Sequence, residues 1–339
     1  MSERKMATIR RIAEVKAIEG ADRIVAYRVD GWYIVDSKDK YQVGDLVVYC
    51  EPDSWVPHSI APFLTKPDQF PKVYKGVEGQ KLRTIRLRGQ ISQGLLLSIP
   101  SLIESVGCWI ALDEGVDVSE WVGVQKWEAD IPAQLQGQMK GSFPSFVRKT
   151  DQERVQNIRN VGQYQDTLFE VTEKLEGSSM TVYFRDGEFG VCSRNVELKD
   201  DGANTFWQVA KQYDLEAKLR SYGKNIAIQG ELIGPNIQGN IYKLQVPDFC
   251  VFDIFDIDKQ EYLPQIDRCL IVGEMQLKHA PHYTTEMRGL KSVDEYLAFA
   301  EGKSVLNPSQ EREGLVFKSL DGSFSFKAIS NQYLVKQKD

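Results

Sequence analysis

The chain has 339 residues, 42% of them hydrophobic and 27% charged, with a net charge of −6. That length exceeds what one hydrophobic core usually serves, so two domains of ordinary globular composition are expected. No apolar run approaches the ~20 residues that cross a bilayer, and MSERKMATIRRIAEV lacks the apolar core and cleavage site of a signal peptide, which points to a cytoplasmic protein (host cytoplasm if the source is viral) with no membrane partner.

Residues 1–125 read as β structure with tight turns. Arg23–Val29, Gly31–Asp36, Asp45–Glu51, Leu82–Arg88 and Leu95–Ile99 are short and rich in Val, Ile, Leu or Tyr, with Gly, Asp and Lys between them. Short strands at this density suggest a small barrel. Residues 126–150, rich in Gln, Pro and Gly without periodicity, read as a connection. From 151 to 339 the texture changes. Strand candidates Thr167–Glu173, Met180–Phe184, Phe189–Ser193, Ile226–Glu231, Phe249–Ile257, Leu315–Ser319 and Ser323–Ala328 alternate with helical segments. Asp186-Gly187 and Asp321-Gly322 mark two hairpins. Helices are expected at Asn204–Tyr213, Leu215–Ser221, Ile266–Met275 and Val293–Ala300, the last with Ser292 and Glu295 as a capping box. A terminal helix, Asn331–Lys338, has Ser330 as its N-cap. The fold class is α+β, with an antiparallel-rich second domain.

Cysteine and histidine chemistry is sparse. Cys50, Cys108, Cys192, Cys250 and Cys269 are odd in number and widely spaced, neither a disulfide framework nor a zinc motif. His279 and His282 are separated by a proline that spoils a helical face, and no third ligand lies nearby in sequence. A negative total charge is awkward for a nucleic-acid protein, although Arg4, Lys5, Arg10 and Arg11, and then Lys81, Arg83, Arg86 and Arg88, form basic clusters.

The informative string is Thr172-Glu173-Lys174-Leu175-Glu176-Gly177-Ser178, a lysine at a strand end entering a glycine turn. It is followed in order by Arg194, Glu231, Phe252-Asp253, Glu313-Gly314 with Lys318, and Lys327. Singly, each has a bland reading as a rim carboxylate, core aromatic or solvated lysine. As an ordered series it resembles the motifs of the covalent nucleotidyltransferases over roughly residues 140–335. The wording of the first motif, with Lys149-Thr150-Asp151-Gln152-Glu153-Arg154-Val155-Gln156-Asn157 upstream, is most similar to the fifth RNA ligase family, which carries an N-terminal OB domain. Gly20-Ala21-Asp22-Arg23-Ile24 and Arg88-Gly89-Gln90-Ile91-Ser92-Gln93-Gly94 resemble segments of OB modules. DNA ligases and capping enzymes place an OB domain after the last motif, where this sequence has little room.

The resemblance implies an ATP-dependent RNA ligase that joins 3′-OH and 5′-phosphate ends, in RNA repair or nick sealing, through AMP carried on Lys174. It implies Glu231 and Glu313 as holders of Mg2+ or Mn2+, and Thr172, Glu173, Gly177, Arg194, Phe252, Lys318 and Lys327 around ATP. Phe252 is expected to stack on adenine, with Phe249 as the alternative, and Glu173 to accept the adenine 6-amino group. A lysine is an ammonium at neutral pH and cannot attack phosphorus. Lys318, Lys327 and the metal are therefore expected to favour its neutral form. Ser325 stands where relatives often have a further lysine. Arg86, Arg88, Arg154 and Asn157 are the candidates for contact with nucleic acid, and no interface stripe argues against a monomer. The alternatives are another nucleotidyltransferase (a guanylyltransferase or a DNA-sealing ligase) and a non-catalytic OB protein that binds RNA.

Overall fold

The computed structural model describes residues 4–106, 113–128, 137–202 and 204–336. Part of the expected connection (129–136) and the last residues of the terminal helix (337–339) lie outside them, as does Cys108. The chain divides into two compact units, 2–129 with 156–159 and 334–339, and 130–155 with 160–333.

The N-terminal unit holds β1 (Ala7–Arg11), β2 (Glu14–Ala17), β3 (Ile24–Val29), β4 (Trp32–Ser37), β5 (Leu46–Cys50), β6 (Ser54–Pro57), β7 (Lys72–Tyr74), β8 (Val77–Lys81), β9 (Thr84–Leu87), β10 (Gln90–Gln93), β11 (Leu95–Ser98), helix α1 (Ile99–Val106) and β12 (Gln125–Lys126). They form small sheets, β1-β5-β11, β2-β3-β4, β12-β6-β8-β7 and β10-β9. Alternation in β3 and β4 buries Tyr27, Val29, Trp32 and Ile34 against Tyr49 and Leu96. Asn157 belongs to this unit. Its carboxamide accepts from Trp32 Nε1 at 2.6 Å and donates to Glu51 at 2.7 Å.

The C-terminal unit contains two sheets. Its strands are β13 (Met139–Ser142), β14 (Glu153–Arg154), β15 (Leu168–Lys174), β16 (Ser178–Arg185), β17 (Glu188–Cys192), β18 (Val196–Leu198), β19 (Ile226–Ile233), β20 (Asp248–Asp256), β21 (Glu261–Tyr262), β22 (Lys278–His279), β23 (His282–Arg288), β24 (Gly314–Ser319) and β25 (Ser325–Ile329). Its helices are α2 (Thr205–Gln212), α3 (Leu215–Tyr222), α4 (Gln265–Glu274), α5 (Val293–Ala300) and α6 (Asn331–Lys336, which crosses into the terminal segment). The larger sheet runs β13-β18-β17-β16-β19-β20-β21 with β22 parallel to β20, and the smaller runs β14-β25-β24-β15-β23. Met180, Val182, Ile228, Leu232, Phe249 and Val251 on one face of the larger sheet pack on α2 and α3 through Phe206, Val209, Leu215 and Leu219. On the smaller sheet, Phe169, Phe317 and Phe326 pack edge and face with Tyr296 of α5.

Several turns and caps follow the sequence closely. Asp186 and Gly187 both have positive φ, the requirement of a tight hairpin between β16 and β17. Ser292 Oγ accepts from Glu295 N at 3.2 Å, while Glu295 reaches back to Lys291 N rather than Ser292. Ser330 Oγ caps α6 by accepting from Tyr333 N at 3.1 Å. Part of the expected connection is ordered sheet instead, because β13 pairs with β18 despite its Gln/Gly-rich surroundings. Among the described residues no helix is long and apolar enough to cross a membrane.

Candidate active site

Strand alternation sets the site. Along β15, Phe169 and Val171 enter the core while Glu170, Thr172 and Lys174 share the other face. The antiparallel register with β24 and β25 puts Lys174, Gly314 and Ile329 in one transverse row. Thr172, Val316 and Lys327 form the next row, and Glu170, Lys318 and Ser325 the third. The Leu175-Glu176-Gly177 turn then carries the chain from the smaller sheet into β16 of the larger one. Gly177 is required there, because a Cβ would lie 2.4 Å from the Leu232 carbonyl oxygen. The turn is anchored by Leu175, buried with Ile233, Tyr242 and Cys250. Glu176 N donates to Tyr242 Oη at 2.6 Å, and the Glu176 carboxylate accepts from Tyr333 Oη at 2.7 Å and Gly239 N at 3.2 Å.

Lys174 Nζ lies 2.7 Å from a Glu313 carboxylate oxygen. Burial works against its charge, yet Glu313 and Glu231 outweigh burial and hold the ammonium above its usual range. Glu231 projects from β19, opposite Ser179 and Cys250. Burial, with Glu313 adding to it, pushes its carboxyl up to about 8 against the pull of Lys174. Arg194 is the cation that acts against the Lys174 charge, but the acidic neighbours Glu313 and Glu231 outweigh it together with burial and keep the proton on.

Lys318 does not supply that repulsion. Its Nζ donates to the Phe252 carbonyl at 2.8 Å and is ion-paired with Asp253, tying the smaller sheet to the larger. Burial draws its pKa down while Asp253 opposes the shift. Lys327 stands one row from Lys174, opposite Val316 on one side and Arg154 on the other.

The aromatic alternatives separate cleanly. Phe249 pairs with Leu232 and is fully buried in the core. Phe252 falls at the register shift between β19 and β20 and is only half-buried, packed against the Leu175–Tyr242 cluster. A bulge re-aims a side chain in this way. Glu173 points away from Lys174. Its Oε2 accepts from Val305 N at 2.6 Å, and its Oε1 is buried with no hydrogen-bond partner. Burial pushes that carboxyl's pKa up. A buried acceptor without a donor is costly in a protein interior, and an exocyclic amine would satisfy it.

Arg194 is half-exposed and paired with Asp151 at 2.6 Å, a partner that sequence reasoning missed because the two are far apart along the chain. Arg86 and Arg88 are exposed on β9 and the turn after it. Two of the nucleic-acid candidates are not exposed contacts. Arg154 is buried in the smaller sheet, where β14 runs parallel to β25, and Asn157 is occupied by Trp32 and Glu51. The string from Lys149 to Asn157 is thus divided between two compact units.

The arrangement is a cationic amine and two carboxylates at a strand end, with a half-exposed aromatic and a buried acceptor near the same turn. Comparison with known proteins bears on it. Residues 167–329 match the RNA ligase family, and residues 6–99 match an OB-fold domain. No curated protein sequence matches the chain. Among solved structures, Naegleria gruberi RNA ligase as a lysine-to-alanine variant with ATP and Mn is 44% identical, with a TM-score of 0.91 over 98% of this chain and 99% of that one. The same ligase with PPi is 44% identical, with a TM-score of 0.90 over 99% and 100%. An aspartate-to-alanine variant without ligand is also 44% identical, with a TM-score of 0.92 over 100% of both. The lysine replaced in the first of these, and a glutamate replaced by alanine in a further Naegleria structure with ATP and Mn, are separated by the same number of residues as Lys174 and Glu231.

Proposed function

The chain belongs to the RNA ligase family and is an ATP-dependent RNA ligase, and on that premise we propose that Lys174 is its nucleophile. The observation that carries this reading is the Lys174 ammonium held between Glu313 and Glu231 at the turn fixed by Gly177. In the first step the Lys174 amine attacks the α-phosphorus of ATP, a P–N bond forms, and the bond to pyrophosphate breaks. AMP then passes to an RNA 5′-phosphate, and a 3′-OH displaces it to close the phosphodiester.

The amine must lose its proton before attack, and the two carboxylates hold that proton in place. Two facing carboxylates, one of them pushed up to about 8, are a donor set that fits a divalent cation such as Mg2+ or Mn2+. Held by Glu231 and Glu313, that cation would weaken their grip on the Lys174 proton and supply positive charge beside the α-phosphate. Phe252 stacks on adenine, Glu173 Oε1 accepts the 6-amino group, and Lys327 faces the phosphates from the neighbouring row. Thr172 and Gly177 shape the pocket wall, and Arg194 turns from Asp151 to the ribose or the incoming strand. Lys318 acts through position, by fixing the backbone at Phe252.

We assign Arg86 and Arg88 to RNA phosphate, and the protein to sealing ends in a nicked duplex, as a monomer in the cytoplasm. The experiment is sealing of a labelled 5′-phosphate strand to a neighbour ending in a ribose or a deoxyribose 3′-OH, on a splint and without one. Ligation that requires the ribose end and the splint supports the reading; equal sealing of free ends or deoxyribose ends overturns that part of it. Arg86→Ala with Arg88→Ala should weaken RNA binding, with a shallower salt dependence, and leave lysyl-AMP formation intact.

A further inference from the structure

Beside Glu170, three side chains that the ligase chemistry does not use converge. Cys269 comes from α4, His279 from β22 and His282 from the start of β23, and one donor atom of each lies within 4.8 Å of the other two. The imidazoles stack, with centroids 4.3 Å apart and planes 16° apart. All three residues are half-buried rather than sealed from solvent.

The hydrogen bonds fix which nitrogens carry lone pairs. His279 Nδ1 lies 2.8 Å from the Ala280 carbonyl, which only accepts, so Nδ1 bears the hydrogen and Nε2 the lone pair. Nε2 in turn accepts from Arg268 Nε at 3.1 Å. His282 Nε2 lies 3.3 Å from Glu170, whose carboxylate is ionised, so Nε2–H donates and Nδ1 is left as a donor atom for another partner. A histidine oriented by a carboxylate and another by a backbone carbonyl is the outer-shell pattern that surrounds ligating imidazoles.

We propose that Cys269, His279 and His282 form a binding site for a soft divalent cation of the zinc class, with a fourth position open to water. Borderline-soft ions take a thiolate and neutral imidazoles together, whereas Mg2+ prefers oxygen. On binding, the Cys269 thiol releases its proton and its sulfur bonds the metal. His279 gives up the bond from Arg268, which keeps its ion pair with Glu170. Three protein ligands with an open position describe an exchangeable site, not the closed set of a structural zinc. Sequence spacing hid it, because the third ligand lies a helix away from the histidine pair.

The test is titration of the purified full chain with Co2+, reading thiolate-to-cobalt charge transfer in the near ultraviolet. One Co2+ per chain should give the band, and Cys269→Ser or His282→Asn should abolish it. The carboxylates beside Lys174 contain no sulfur and cannot produce it, so the result is independent of the ligase reading. As a measurement that needs no variant, saturating Zn2+ should slow alkylation of Cys269 several-fold, read by peptide mass. Absence of the band, its persistence in Cys269→Ser, or unchanged alkylation with Zn2+ overturns the proposal.

Discussion

Removing the Asp253 carboxylate should leave the buried Lys318 ammonium without its ion-pair partner, with Glu170, already paired to Arg268, as the remaining negative charge that acts on it. Lys318 and Asp253 are 6% and 5% exposed, and the only other acceptor bonded to Lys318 Nζ among the described residues is the Phe252 carbonyl. Breaking a buried ion pair by deleting one partner costs about 3–5 kcal/mol, because a desolvated charge is left uncompensated. For a unit of this size each kcal/mol moves the melting temperature by about 2–4 °C, so Asp253→Ala should lower it by roughly 6–20 °C. Adding Lys318→Met to Asp253→Ala should recover much of that loss, since an apolar pair of similar volume is often neutral relative to a buried ion pair. Lysyl-AMP formation in the double variant should stay well below wild type, because the backbone at Phe252 loses its anchor. The assay is a thermal melt of the three proteins beside a labelling time course. A drop of under about 1 kcal/mol in Asp253→Ala, or a double variant no more stable than the single, would show that the buried pair does not hold the two sheets together.

Phe252→Ala should keep the fold and weaken ATP use by about 1–3 kcal/mol, seen as a raised KM, because base–aromatic stacking is of that size. Phe249→Ala should instead cost about 3–5 kcal/mol of stability through a core cavity, which a melt separates from a binding defect. Glu173→Gln should narrow the preference for ATP over GTP in competitive labelling, and unchanged selectivity would remove Glu173 from adenine recognition. Acid should destabilise the C-terminal unit in two stages. His279 is held down to about 4 against 6.5 unfolded, so the unfolded chain binds more protons between those values and stability falls as pH drops through that window. Burial of Glu170 is outweighed by His282, Arg268 and Lys318, which pull it down to about 2 from 4.5, so its contribution is present above 4.5 and lost toward 2. Melting temperatures that stay flat from pH 6.5 to 4 would contradict the first stage.

Much of the site was legible in the sequence because its residues sit at strand ends with a fixed alternation. Lys174 before a glycine turn, Glu231 at the end of β19 and Glu313 at the start of β24 converge as that pattern requires. What could not be read was partnership across the chain. Nothing local to Lys318 reveals that Asp253 takes it, so a cation expected to activate Lys174 proved to be a tie between sheets. The choice between Phe249 and Phe252 turned on a register shift, which no alternation pattern records. β23 was missed because His282–Arg288 is an edge strand of mostly exposed polar residues, without the apolar period that marks a half-buried strand. Nothing local to Asn157 records its hydrogen bonds to Trp32 and Glu51, and nothing local to Arg154 records its burial in the smaller sheet.

The most direct measurement is incubation of the protein and its Lys174→Ala variant with α-labelled ATP or GTP and either Mg2+ or Mn2+, followed by denaturing electrophoresis and mapping of the labelled peptide. A Lys174 nucleophile predicts label from ATP alone, on the peptide containing Lys174, and none in the variant. Label that persists in Lys174→Ala, maps elsewhere, or never forms with either metal would contradict it.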